Sequence, residues 1–114
     1  MISDMDRVAS LATNLPGAQF QSLAVLLVLI DSAGRYVTWS ALEGRVRDII
    51  GYTPGDRSVN GALKRLRAQL LAAKMPVRIV TQRCVGIMLD APPAWCQAML
   101  GSGCPRSIRT ILAA

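Results

Sequence analysis

The stretch "RSVNGALKRLRAQL", residues 57–70, holds Arg57, Lys64, Arg65 and Arg67 and no acid. Guanidinium and ammonium groups at this density bind anions. An Arg fork matches two phosphate oxygens, or the O6 and N7 acceptors of guanine. Arg83 stands alone further on, in "TQRCVG". The residues of acid–base and metal chemistry are missing or scattered. There is no His, and the three cysteines, at 84, 96 and 104, form no CxxC pair. No zinc or other metal site is expected. An odd cysteine count reads as reduced thiols, although one disulfide remains open. Nor is there a nucleophile elbow or a phosphate-cradling Gly motif, and the Asp residues fall near turns and termini. The expectation is a protein that is not an enzyme and uses no cofactor.

The charge is confined to one segment. Residues 1–56 carry four Arg against six Asp/Glu, residues 57–89 carry seven Lys/Arg and no acid, and residues 90–114 add a net +1. A positive field limited to a third of a small chain points to a polyanionic partner. The competing reading is a solvated basic face, or one that pairs with the acidic first half. At 114 residues the chain fits one domain with a core of its own. With apolar content of 52 % and few aromatics, Leu, Val, Ile, Ala and Met must build that core. The longest apolar run, "LAVLLVLI" at 23–30, is too short to span a bilayer. "MISDMDRVAS" lacks the apolar core of a signal peptide. A cytoplasmic protein without a membrane partner is expected.

The pattern of elements follows from breakers and periodicity. Residues 1–14 read as a short helix or an arm. A first long helix spans 18–31 after "LPG" and is mostly apolar, which suits burial on more than one side. Gly34 suits the left-handed position beyond its end, and "RYV" at 35–37 is a short strand candidate. A second helix covers about 39–51, capped by Thr38 or Ser40, with Ser40 and Glu43 spaced as a capping box. "GYTPGD" at 51–56 is a loop. A third helix runs from about 57 to 73. Residues 77–89 read as a β-hairpin, with strands near 77–81 and 85–90 and a turn near Gln82–Cys84. In the tail, "AWCQAML" and "RSIRTILAA" are helix candidates. The fold class expected is α+β, mostly helical. Three helices followed by a hairpin is the plan of a winged helix-turn-helix, a three-helix core with a C-terminal β-hairpin wing. The domain occupies 15–90, with 1–14 as arm or helix and 91–114 as tail.

On a wheel of the third helix with Val59 at 0°, Leu63, Leu66 and Leu70 fall at about 40°, 340° and 20°. Arg57, Lys64 and Arg65 fall at about 160°, 140° and 240°, and Arg67 at about 80° flanks the stripe. Gly61 and Ala68, near 200° and 180°, put very small residues in the middle of the outward face. A mid-helix Gly costs about 1 kcal/mol against Ala, and here it lets the backbone approach something closely. A DNA major groove admits such a helix.

The two segments "RSVNGALKRLRAQL" and "IVTQRCVGIML" resemble the DNA-binding domain of OmpR/PhoB-type response regulators. Arg57, Ser58, Val59, Leu63, Arg65, Leu66, Arg67 and Leu70 match that family's recognition helix. Ile79, Thr81, Arg83, Val85, Gly86 and Leu89 match its wing. The resemblance covers about 15–90. It departs where the family has His on the helix and this chain has Ala62, where Asp is replaced by Asn60, and where wing Gly and Tyr are replaced by Cys84 and Ile87. Too few residues precede the match for the family's N-terminal four-stranded sheet, and there is no receiver domain. The resemblance implies a stand-alone, divergent winged helix. It implies base contacts from Arg65 in the major groove and from Arg83 in the adjacent minor groove. It implies backbone contacts from Arg57, Ser58, Lys64, Arg67 and Thr81.

The function expected is therefore a sequence-specific double-stranded DNA-binding transcriptional regulator of bacterial or phage type. A single small domain reads a half-site, so a homodimer or tandem copies on DNA are expected. The apolar tail, with Trp95, Met99, Leu100, Ile108 and Ile111, either supplies the dimer contact or packs back on the domain. The alternative is a winged helix that docks protein instead, binding or inhibiting another regulator or a polymerase subunit.

Overall fold

An eight-residue apolar run with no polar face needs protein on every side, and the fold provides it. The computed structural model describes residues 3–51 and 58–100. Within them the chain forms α1 (Asp4–Asn14), α2 (Phe20–Asp31), α3 (Trp39–Ile50), α4 (Ser58–Ala72), β1 (Arg78–Gln82), β2 (Gly86–Asp90) and α5 (Pro93–Leu100). The architecture is α+β and mostly helical. Every residue of α2 from Ser22 to Ile30 is buried. Helices α1, α3 and α4 pack around it, and β2 touches it from the hairpin side. Ser22 is polar in this apolar helix, and its Oγ donates to the backbone carbonyl of Ala62 on α4, 3.3 Å away. The hydroxyl is thereby satisfied without water, as burial requires.

The helix ends follow local chemistry. Ser3 caps α1: its Oγ accepts from the Asp6 amide at 3.1 Å, and the Asp6 carboxylate accepts from the Ser3 amide at 3.4 Å. Residues 4–14 are thus a helix, with Val8 and Leu11 in the core. Pro16 and Gly17 turn the chain, and α2 begins at Phe20, two residues later than expected. Thr38 caps α3 through its Oγ1, which accepts from the Ala41 amide at 3.1 Å. Ser40 lies inside that helix, so the Ser40–Glu43 box is not the cap. Helix α4 ends in a paired closure: the Lys74 amide donates to Leu71 O at 3.0 Å, and the Met75 amide to Leu70 O at 3.1 Å. Lys74 takes a left-handed φ of 56° to allow it.

The hairpin pairs Arg78 with Asp90 and Gln82 with Gly86, antiparallel throughout. Its first strand sits one residue beyond the expected span and its tip is 83–85. The expected strand at 35–37 reduces to one bridging residue. Val37 exchanges two backbone hydrogen bonds with Ile87, at 2.7 and 2.8 Å, and the Gly34 amide donates to Leu89 O at 3.0 Å. This ties the α2–α3 connection to β2. Gly86 makes the contact possible: at φ 146°, a Cβ there would lie 2.1 Å from Val37 O.

After "APP" the chain turns back on α1 as α5. Trp95 and Met99 are fully buried, and Met99 O accepts from Asn14 Nδ2 at 3.4 Å. Trp95 Nε1 points at Met75 Sδ, 3.5 Å away. These two side chains therefore serve the core and are not free for a dimer contact. Ile108, Ile111, the helix expected at "RSIRTILAA" and the loop at 52–56 lie outside the described residues. An ionic group joins three helices: Arg7 bonds Asp31 at 2.7 Å and Asp4 at 2.7 Å, and Arg45 reaches Asp31 at 3.6 Å.

Candidate nucleic-acid interface

The site is built on α4, and its inner face decides its outer one. Val59, Leu63, Leu66 and Leu70 are all buried. Ala62, where the resembling family carries His, is also fully buried, under the Ser22 hydroxyl. Gln69 continues this margin, with its Oε1 buried and unbonded. The buried arc is therefore wider than the Leu stripe, and it leaves Asn60, Lys64, Arg65, Arg67, Ala68 and Leu71 outward.

Lys64 and Arg65 are exposed, and among the described residues neither has a carboxylate partner. Arg65 folds back along the helix, so that a Cβ added at Gly61 would lie 3.4 Å from its Nη1. Gly61 and Ala68 thus form a shallow floor with a guanidinium lying beside it. Arg67 is placed differently. Its Nη2 donates to Thr81 Oγ1 on β1. This bond joins two residues expected to hold phosphates separately, and it sets the hairpin against the flank of α4. A guanidinium has five N–H donors, so one bond to Thr81 leaves others for an anion.

Arg83 is exposed in the hairpin tip beside Cys84, which holds a left-handed φ of 65°. The resembling family has Gly at that position, a residue without the steric cost of this conformation. Arg57 lies outside the described residues, and Ser58 is described only as the first residue of α4. Two further cations, Lys74 and Arg78, continue the field past the end of α4. Arg78 is held 3.4 Å from Asp90.

Of the acidic residues in the described chain, Asp4 and Asp31 pair with Arg7, and Asp90 pairs with Arg78. The strongest ionic group holds Arg7, whose guanidinium pKa is raised by its bonds to Asp31 and Asp4. Cys96 is a buried thiol whose pKa is pushed up by that burial. Among the described residues no group of three or more His, Cys, Asp or Glu could hold a metal ion, and no helix is long and apolar enough to cross a membrane. The arrangement offers exposed cations suited to an anion. Leu71 was not foreseen as part of this face, yet it is 80 % exposed among the cations. Its wheel position at about 120°, off the stripe, was the available signal. No family model, no curated protein and no solved structure matches the chain.

Proposed function

We propose that the chain is a winged helix-turn-helix that binds double-stranded DNA in a sequence-specific way and regulates transcription. In this reading α3 and α4 form the helix-turn-helix, α4 enters the major groove, and the β1–β2 hairpin is the wing. The observation that carries it is the outer face of α4, where unpaired Lys64 and Arg65 flank Gly61 and Ala68. Small residues let the helix backbone approach a groove floor, and long cations on either side reach base edges and phosphates. Arg65 reads bases. Lys64 and Arg67 neutralise phosphates, with Arg57 and Ser58 extending the same role at the helix start. The Arg67–Thr81 bond supports the wing reading, because it fixes the hairpin beside the helix. Arg83 at the tip then reaches the adjacent minor groove, whose narrow A·T tracts attract Arg. No enzymatic role and no cofactor are proposed.

Selection from a randomised duplex pool, run beside Arg65→Ala at two salt concentrations, tests this. An enriched motif that disappears in Arg65→Ala is the expected result. Salt-sensitive binding without a motif would leave only a nonspecific DNA binder. Absence of binding at low salt would remove the DNA reading and favour the protein-docking alternative, for which the exposed Leu71 is the specific observation.

A further inference from the structure

We propose that the groove between the C-terminal turn of α4 and β1 docks an acidic amphipathic segment of another protein. The groove encloses about 300 Å³, and no acidic residue lines it. Its floor is apolar, made by Leu70, Met75, Val77 and Ile79, with Leu71 standing at the rim. Among the described residues Leu71 is the most exposed of the large apolar side chains, at 80 %. Lys74 and Arg78 sit on the same rim, both exposed. The Arg78 pair with Asp90 joins two exposed side chains and so holds Arg78 only weakly.

The combination selects the occupant. A phosphate backbone would use the cations and leave the apolar floor of Leu70, Met75, Val77 and Ile79 uncovered. An uncharged apolar segment would leave two cations beside it unpaired. A segment with apolar side chains on one face and carboxylates on its edges satisfies both. The floor is also firm: Met75 is held by Trp95 Nε1 at 3.5 Å and by the hydrogen-bonded closure of α4. This chain's own residues 101–114 do not fit by charge, since they carry Arg106 and Arg109 and no acid. The exposed Met5 of a second copy is a poor match. It is flanked by Asp4, already bonded to Arg7, and by Asp6, engaged in a cap.

The test uses the full chain and a fluorescein-labelled acidic peptide with Leu and Phe at i, i+3, i+4 and i+7 and Glu elsewhere. A scrambled peptide of the same composition is the control. Anisotropy reports affinity, and amide shifts report location. Saturable binding of the patterned peptide is expected, with shifts centred on Leu71, Met75 and Ile79. Leu71→Ser and Arg78→Glu should each weaken it about tenfold. Both positions are exposed, and circular dichroism should show the fold retained. Equal binding of the scrambled peptide, shifts centred on Lys64 and Arg65, or no binding up to about 1 mM would each overturn the proposal. Self-association of the chain abolished by Leu71→Ser would also overturn it, assigning the groove to a second copy. The proposal does not rest on the DNA reading. Arg65→Ala, outside the groove lining, should leave peptide affinity unchanged while removing the DNA motif, so either can fail without the other.

Discussion

Gly86 and Cys84 sit two residues apart in the hairpin, and their conformations make opposite demands. Gly86 has φ 146° with Val37 O where its Cβ would be, at 2.1 Å. Gly86→Ala must push the α2–α3 connection away and break the two Val37–Ile87 hydrogen bonds. A loss of about 3 kcal/mol in urea unfolding is expected, from backbone strain and lost pairing together. Cys84 instead has a side chain at a φ of 65° that favours Gly. Cys84→Gly should therefore stabilise the chain by about 1 kcal/mol, and an unchanged or lower stability would refute the strain. Cys96 sets a pH dependence. Its folded pKa is raised by burial, so the folded state holds the thiol proton more tightly than the unfolded chain. Its contribution to stability is then full below the unfolded pKa and declines as pH rises above about 8.5. Denaturation measured from pH 7 to 10 should show a steeper decline for the parent chain than for Cys96→Ala. Identical slopes would mean that the thiol is not desolvated. The left-handed turn at Cys84 could be suspected only from the family's Gly at that place. The close approach behind Gly86 could not, because it depends on Val37, 49 residues earlier.

Among the elements, α4 is where propensity and proposed function disagree most sharply. Gly61 lowers helix stability, and the space above it is open apart from Arg65 Nη1. Gly61→Ala should raise stability by about 1 kcal/mol, because the Arg65 tip can move aside. If the backbone meets a groove floor, the same methyl group should weaken DNA binding. Thermal melting and DNA titration of this one variant separate the two effects. Gain of stability with unchanged affinity would place the DNA contact elsewhere. The helices were legible for plain reasons. The apolar stripe at 59, 63, 66 and 70 has the helical period, whereas the run at 23–30 has none and reads as a helix by the length of the segment between its breakers. Breakers at Gly34, Gly51 and Pro76 bound them. What stayed illegible depends on distant partners. The capping of α3 by Thr38 rather than Ser40 turns on where the Val37–Ile87 bridge holds the chain. The wider buried arc of α4, with Ala62 inside, follows from α2 bringing Ser22 to its carbonyl. Arg67 could be read as flanking the stripe, but its bond to Thr81 needs the hairpin to fold beside it.

At the scale of the whole molecule, the described cations fall into those paired with carboxylates and those without such a partner. Asp31 draws Arg7 and Arg45 to one ionic group that joins α1, α2 and α3. These cations are thus used to hold the helices around the core. Lys64, Arg65, Lys74 and Arg83 come from α4, its closing turn and the hairpin tip, and make no such pair among the described residues. Among the described residues these four cations are not used in ion pairs, which is what the proposed DNA contact requires. This gives a quantitative expectation for DNA. If about six phosphates are neutralised, log K against log salt should fall with a slope of about −5. Lys64→Ala should reduce that slope by about one and weaken all sequences alike. Arg65→Ala should also relax base preference, because a base-reading fork carries about 1–3 kcal/mol of discrimination. Arg45→Ala, which removes a cation of the ionic group at Asp31, should leave the slope unchanged. Titrations of these three variants over a salt series make the comparison. A slope near zero, or one as sensitive to Arg45 as to Lys64, would show that the outward field of α4 is not what meets DNA.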